Sequence, residues 1–190
     1  MELHPKLEIN LRTELRAWLH ENHDKGGHIF VPVLSRDPEE LSYLAIVEEC
    51  LCFGWIDSTK KKEGDTMWQR ISPRRKNGNW TELNKERVRR LERLGLMTPA
   101  GMTVLPNMDV ASFVIREDIW LIIRTDTELL ANFESLPALY HRVRIDNIQS
   151  VFSDKDTYEK RLAKFVEQTK LGKLFGDWND KGRLSIENHR

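Results

Sequence analysis

Two short extended runs, Trp55-Ile56-Asp57-Ser58-Thr59 and Met67-Trp68-Gln69-Arg70-Ile71-Ser72, most constrain what this chain can become. Between them lies Lys60 to Asp65, a polar linker with the single glycine Gly64, and that arrangement predicts a β-hairpin. A lone hairpin is marginal in water and needs a further strand or a helix to bury one face. His28 to Leu34, rich in β-branched and aromatic residues, supplies the strand, and Pro32 within it predicts an edge position or a bulge because proline lacks a donor. Helices come from the flanking periodicity. Leu11, Leu15, Trp18 and Leu19 recur at three and four, and Asp37-Pro38-Glu39-Glu40 reads as the start of a second helix with Leu41, Leu44, Ala45, Leu51 and Cys52 inside.

Thr81 is placed to cap a helix with Asn84, Val88, Leu91 and Leu94 inward, ending at Gly95. Thr98-Pro99 opens a short one closed by Pro106. Beyond residue 112 the pattern is helical throughout, over 117–124, 127–134, 136–151 and 154–171, the last striped by Tyr158, Leu162, Phe165, Val166 and Thr169. The expected fold is α+β: a small antiparallel sheet of about three strands packed with helices, then an all-helical C-terminal part. The expected divisions are 1–106, 107–175 and a fraying tail, 176–190, in which Trp178 pins a part.

Composition excludes several classes. Thirty basic side chains balance thirty acidic ones, so bulk charge does not recruit nucleic acid. The N-terminus lacks a basic stretch followed by an apolar one, and apolar runs such as Ile119 to Ile123 are too short to span a bilayer, so a cytoplasmic location without membrane insertion is expected. Cys50 and Cys52 read as buried packing residues in a helix. His20, His23 and His28 have no zinc-type ligand spacing around them, and there is no glycine-rich phosphate loop; neither metal nor cofactor is expected.

Glu49 to Ser58, Gln69 to Arg75 followed by Asn79 to Asn84, and Gly95 to Gly101, in this order and spacing, resemble the YdeI/OmpD-associated, or bacteriocin-protection, family. The helical run from Leu136-Pro137-Ala138-Leu139-Tyr140 to Lys164 is also similar to that family's C-terminal region. The resemblance implies a bacterial stress or protection protein acting against bacteriocins or antimicrobial peptides, with a link to an outer-membrane porin. It implies no reaction and no catalytic residue.

Three functional expectations follow. The first is a ligand-binding surface of Trp55, Asp57, Arg70, Arg74, Arg75, Trp80 and Asn84, with Trp68 sharing its region. Aromatic rings beside arginine forks suit a planar or small anionic ligand, and alternation puts Trp55 and Asp57 on one face. In this reading Arg74 is an exposed contact, whereas a purely structural role would make the tryptophans core and pair Asp57 with an arginine. The second is nucleic-acid binding by residues 58–93, with twelve basic residues against five acidic, through Lys60, Lys61, Lys62, Arg74, Arg75, Lys76, Arg89 and Arg93. Arg89 and Arg93, four apart on one helix face, repel unless an anion relieves them. The third is a small enzyme with Asp57 as acid or base. No reaction class has all its roles filled, so the chain is read as non-catalytic, with its physiological partner and oligomeric state open.

Overall fold

The computed structural model describes residues 5–35 and 40–184. The chain divides into two compact units, the first holding residues up to 79 and 87–106, the second 80–86 and 107 onward.

In the first unit, α1 (Arg12–Asn22) buries Leu15 and Leu19 completely. Its amino end is satisfied by the Glu14 carboxylate, which accepts from the backbone N–H of Asn10 and Leu11 at 2.8 and 2.9 Å. β1 (Ile29–Val33) leads to α2 (Tyr43–Cys52). The expected helix start at Asp37-Pro38-Glu39 lies outside the described residues; the observed cap is Ser42, whose hydroxyl accepts from Ala45 N–H at 3.1 Å. Every residue of α2 from Ala45 to Cys52 is buried, with no solvent face on that stretch, and Leu44 is half-buried.

β2 (Trp55–Glu63) and β3 (Thr66–Pro73) form the hairpin, and the antiparallel sheet runs β1-β3-β2. Ile29 pairs with Ile71 and Val33 with Met67 on one side of β3; Trp55 pairs with Pro73 and Glu63 with Thr66 on the other. β1 is an edge strand, as Pro32 requires, and its outer side is covered by the residues around Lys6, where Leu7 N–H donates to Phe30 O and Phe30 N–H to Pro5 O, both at 2.9 Å.

The sheet departs from expectation in one respect. Lys60 to Glu63 belong to β2 instead of a loop, and only Gly64 and Asp65 turn, with Gly64 at φ +57°. An irregularity between Asp57 and Lys60 gives β2 one extra residue against β3. The fully buried Gln69 serves this bulge, its amide donating to Ser58 O at 3.1 Å.

α3 (Glu82–Arg93) is capped by Thr81, whose hydroxyl accepts from Asn84 N–H at 3.2 Å. Val88 and Leu91 are fully buried, but Asn84 is only half-buried and Leu94, past the helix end, is exposed. α4 (Pro99–Met102) docks on the end of α2: Thr98 caps it from Gly101 N–H while donating its own hydroxyl to Cys52 O at 2.6 Å. The approach leaves no room for a side chain, since a Cβ at Gly101 would stand 2.2 Å from Cys52 O.

The second unit holds α5 (Glu117–Thr125), α6 (Thr127–Ser135), α7 (Ala138–Gln149) and α8 (Lys155–Lys170). Asp126 and Asp154 cap α6 and α8. Ile119, Ile123, Phe133, Tyr140, Ile145, Ile148 and Phe165 form its core, each such burial contributing roughly 1.5–3 kcal/mol. The expected stripe on α8 is buried at Tyr158, Leu162, Phe165 and Thr169, with Val166 half-buried. The segment after Gly172 is better anchored than its irregular pattern suggests. Trp178 packs edge-on against Tyr140 at 5.7 Å, and Leu184 is only 2% exposed.

Replacing Gly101 with alanine drives a methyl into backbone, so a loss of about 3 kcal/mol or more in urea unfolding is expected. Gly26→Ala, which meets nothing within 4 Å, should stay within about 0.5 kcal/mol.

Candidate functional site

Two residues of the expected Trp/Arg/Asp surface, Trp55 and Arg74, are interior, whereas Asp57, Arg70, Trp80 and Asn84 are half-buried and Arg75 is exposed. Trp55 is 2% exposed, its indole N–H donates to His23 O at 3.0 Å, and it meets Trp18 edge-on at 5.6 Å. Arg74 is 6% exposed, which corrects its expected role as an exposed contact. Its backbone N–H donates to Gly54 O and its guanidinium to Asn79 O, both at 2.9 Å. Burial pulls its pKa below the usual value, with Asp57 and Cys50 acting the other way. Asp57 is half-buried and accepts from the Tyr43 hydroxyl at 3.0 Å.

Asp57 lies opposite Ile71, so it shares a face with Trp55, whereas Arg70 and Trp68 alternate to the other face. There Arg70 donates to Ser58 Oγ at 3.2 Å and Lys6 sits over the Trp68 ring at 4.8 Å. Trp55 and Trp68 therefore do not share a region. Arg75 is exposed; Trp80 and Asn84, both half-buried, belong to the second unit.

Part of the basic segment is engaged locally. Lys60 lies 3.8 Å from the centre of the Tyr43 ring. Lys6 and then Lys61 donate to the Glu63 carboxylate and hold its pKa down to about 2. Lys62, Lys76 and Arg93 are exposed, and Arg89 is half-buried.

The most consequential charges were not singled out by sequence. Glu48 and Glu49, each 1% exposed, sit side by side in the apolar α2. Arg12 reaches both, at 2.8 and 2.7 Å; Arg16 reaches Glu49 at 2.9 Å and Arg90 reaches Glu48 at 3.0 Å. Burial alone would pull Arg12 down, but the Glu49 and Glu48 carboxylates reverse it and leave its pKa above the usual value. The available signal was the pair of adjacent acids inside an apolar helix, facing arginines four apart on α1.

Arg16 links this network to the surface. Its other donor goes to Leu96 O at 2.8 Å, and its guanidinium stands 5.3 Å from the Phe53 ring centre. Above Phe53 opens a cleft of about 730 Å³ between α1 and α4, with Ala17, Met97 and Pro99 as apolar walls and His20 and His23 at the rim. The nearby Cys52 thiol is pushed up to about 12, by burial first and Glu49 second, so it stays protonated and unreactive at neutral pH.

The second unit has a smaller cleft of about 440 Å³, lined by Phe113, Trp120, Phe133 and His141. The His141 ring stacks on Phe133 with centroids 3.8 Å apart, and burial holds its pKa down to about 4. Among the described residues no three His, Cys, Asp or Glu side chains gather as a metal site, and no helix is long and apolar enough to cross a membrane.

The fold and clefts define an α+β protein built of a three-stranded sheet unit and a helical unit, each with an apolar hollow. Residues 7–104, just over half of the chain, match the model of a domain of unknown function, DUF8412, and the chain belongs to that family. Residues 112–172, about a third of the chain, match the model described as bacteriocin-protection, YdeI or OmpD-associated. The Leu136 to Lys164 resemblance falls within this second match, whereas the motifs between Glu49 and Gly101 fall within the first. No curated protein and no solved structure matches the chain.

Two outcomes check these electrostatics. Glu49→Gln leaves two arginines facing a neutral group, and urea unfolding should show a loss of about 3 kcal/mol or more. For His141 the depressed folded pKa means that the unfolded state binds the proton first. Stability therefore falls as pH drops from 6.5 toward about 4. His141→Phe, which retains a ring against Phe133, should flatten that decline relative to the parent. Asp146, raised by burial, acts in the opposite sense and is common to both proteins.

Proposed function

We propose that the chain is a non-catalytic protection protein that works by binding, and that its ligand enters the cleft over Phe53. The cleft carries this reading: about 730 Å³ falls within the range that accommodates a small organic ligand or one to two peptide side chains. Its floor is apolar, and its polar groups stand at the rim, where they can orient a ligand without being stranded in the interior. Arg16 is held by Glu49 and Leu96 O, so the rim is preorganised before a ligand arrives. In this reading Trp55 and Arg74, expected to touch ligand, support the site from behind.

The ligand in this reading is a bacteriocin or antimicrobial peptide, captured through an apolar side chain; the bacteriocin-protection description matched by the helical part of the same chain supports that class. Ala17 is exposed on α1 and faces the cleft, so Ala17→Trp fills the hollow without touching the core. The variant should unfold within about 0.5 kcal/mol of the parent. It should also lose saturable binding of bacteriocin peptides followed by tryptophan fluorescence, and fail to restore resistance to a strain lacking the protein. Undiminished binding and full restoration of resistance by the variant would remove the cleft from the function. Binding that survives in the variant but collapses with salt on oligonucleotides would place function in the basic segment instead.

A further inference from the structure

The second unit holds a cluster of cations around Phe175 and the adjoining turns of α7 and α8. Arg144 on α7 is half-buried, and its Nε is enclosed with no hydrogen-bond partner among the described residues. Its guanidinium lies 4.1 Å from the centre of the Phe175 ring, and Lys164 on α8 lies 5.2 Å from the same ring. Arg161, three residues before Lys164 and on the same face of α8, donates to Asn147 O at 2.6 Å and so reaches α7 one turn beyond Arg144. The backbone accommodates this crowding at Gly176, φ +74°, where a Cβ would stand 2.9 Å from Arg144 Nη1.

Among the described residues, the ionisable groups that act on Arg144 are Tyr140, whose hydroxyl is also buried, and Arg161, a like charge, and no carboxylate is one of them. Asp154 acts on Arg161 from the start of α8. Burial and the repulsion of Arg161 both push the Arg144 pKa down. A half-buried arginine that feels a second arginine is destabilised unless an anion joins them, because like charges repel more strongly where water is scarce.

We propose that Arg144, Arg161 and Lys164 form an anion site for a phosphate group. Two guanidinium forks offer paired donors to tetrahedral oxygens, and the ammonium adds a mobile third charge. Phe175 holds Arg144 and Lys164 by their attraction to its ring, and the exposed Lys164 marks the side from which an anion would enter. The site is independent of the cleft over Phe53 and stands or falls apart from it.

Calorimetric titration of the full chain with inorganic phosphate and with phenyl phosphate, at fixed ionic strength, tests the assignment. Saturable binding is expected, weakened at least about fivefold by Arg161→Gln and by Lys164→Gln, each of which removes a charged donor. Lys164 is exposed and Arg161 half-buried, and urea unfolding of each variant checks that the fold is retained; Lys155→Gln, on the opposite face of α8 from Lys164, should leave affinity unchanged. Equal affinities for the two probes assign the free ion, and a preference for phenyl phosphate assigns a phosphate ester. No saturation up to about 10 mM of either probe, weaker than three converging cations should bind, would overturn the proposal. Binding that is indifferent to both α8 variants would overturn it equally.

Discussion

Glu48 and Glu49 are the two groups to which the first unit is tied. Water would solvate both carboxylates well, and the fold removes it from both. Three arginines from two other helices replace it, and each therefore has to arrive at a set distance: α1 with Arg12 and Arg16, α3 with Arg90. The network adds little to net stability compared with an apolar core of equal volume, but it penalises any arrangement that leaves one carboxylate without its cation. Its effect is on specificity: α1 and the later part of α3 are held to α2 in one register.

The cleft inherits its shape from that register. Arg16 bonds Glu49 on one side and Leu96 O on the other, which joins α1 to the segment leading into α4. α4 in turn is seated by Thr98 and by the bare Cα of Gly101 on the carbonyl of Cys52. Phe53 lies at the junction, 4% exposed, with its ring approached by Arg16 and by both rim histidines. A hollow with walls set by ion pairs and backbone contacts keeps its volume when empty, which suits binding that does not reorganise the protein.

The elements legible in the sequence were those with local causes. Pro32 marked an edge strand, Thr81 and Thr98 marked helix starts, and the helices after residue 112 followed their apolar spacing. β2 was cut short because Lys60 to Glu63 have the composition of a loop, while their pairing is decided by β3 across the sheet. The site was harder to see for a related reason. Alternation placed Trp55 and Asp57 on one face without saying that Trp55 turns into the core, so a buried ring was read as part of a binding surface. Glu48 and Glu49 were invisible as partners because their arginines lie more than thirty residues away in the chain. Gly101 carried no signal of close approach, since the demand on it comes from the carbonyl of a distant helix.

The extra residue in β2 has a consequence for how copies of the chain meet one another. β2 is the terminal strand of the sheet, and Lys60, Lys61 and Lys62 occupy its exposed stretch just beyond the bulge. A second molecule offering the same strand would set lysine against lysine, and the local twist would carry its backbone out of reach of further pairing. The unpaired border of the sheet is thereby a poor template for its own kind, and crowding does not readily turn a folded molecule into the seed of a fibre.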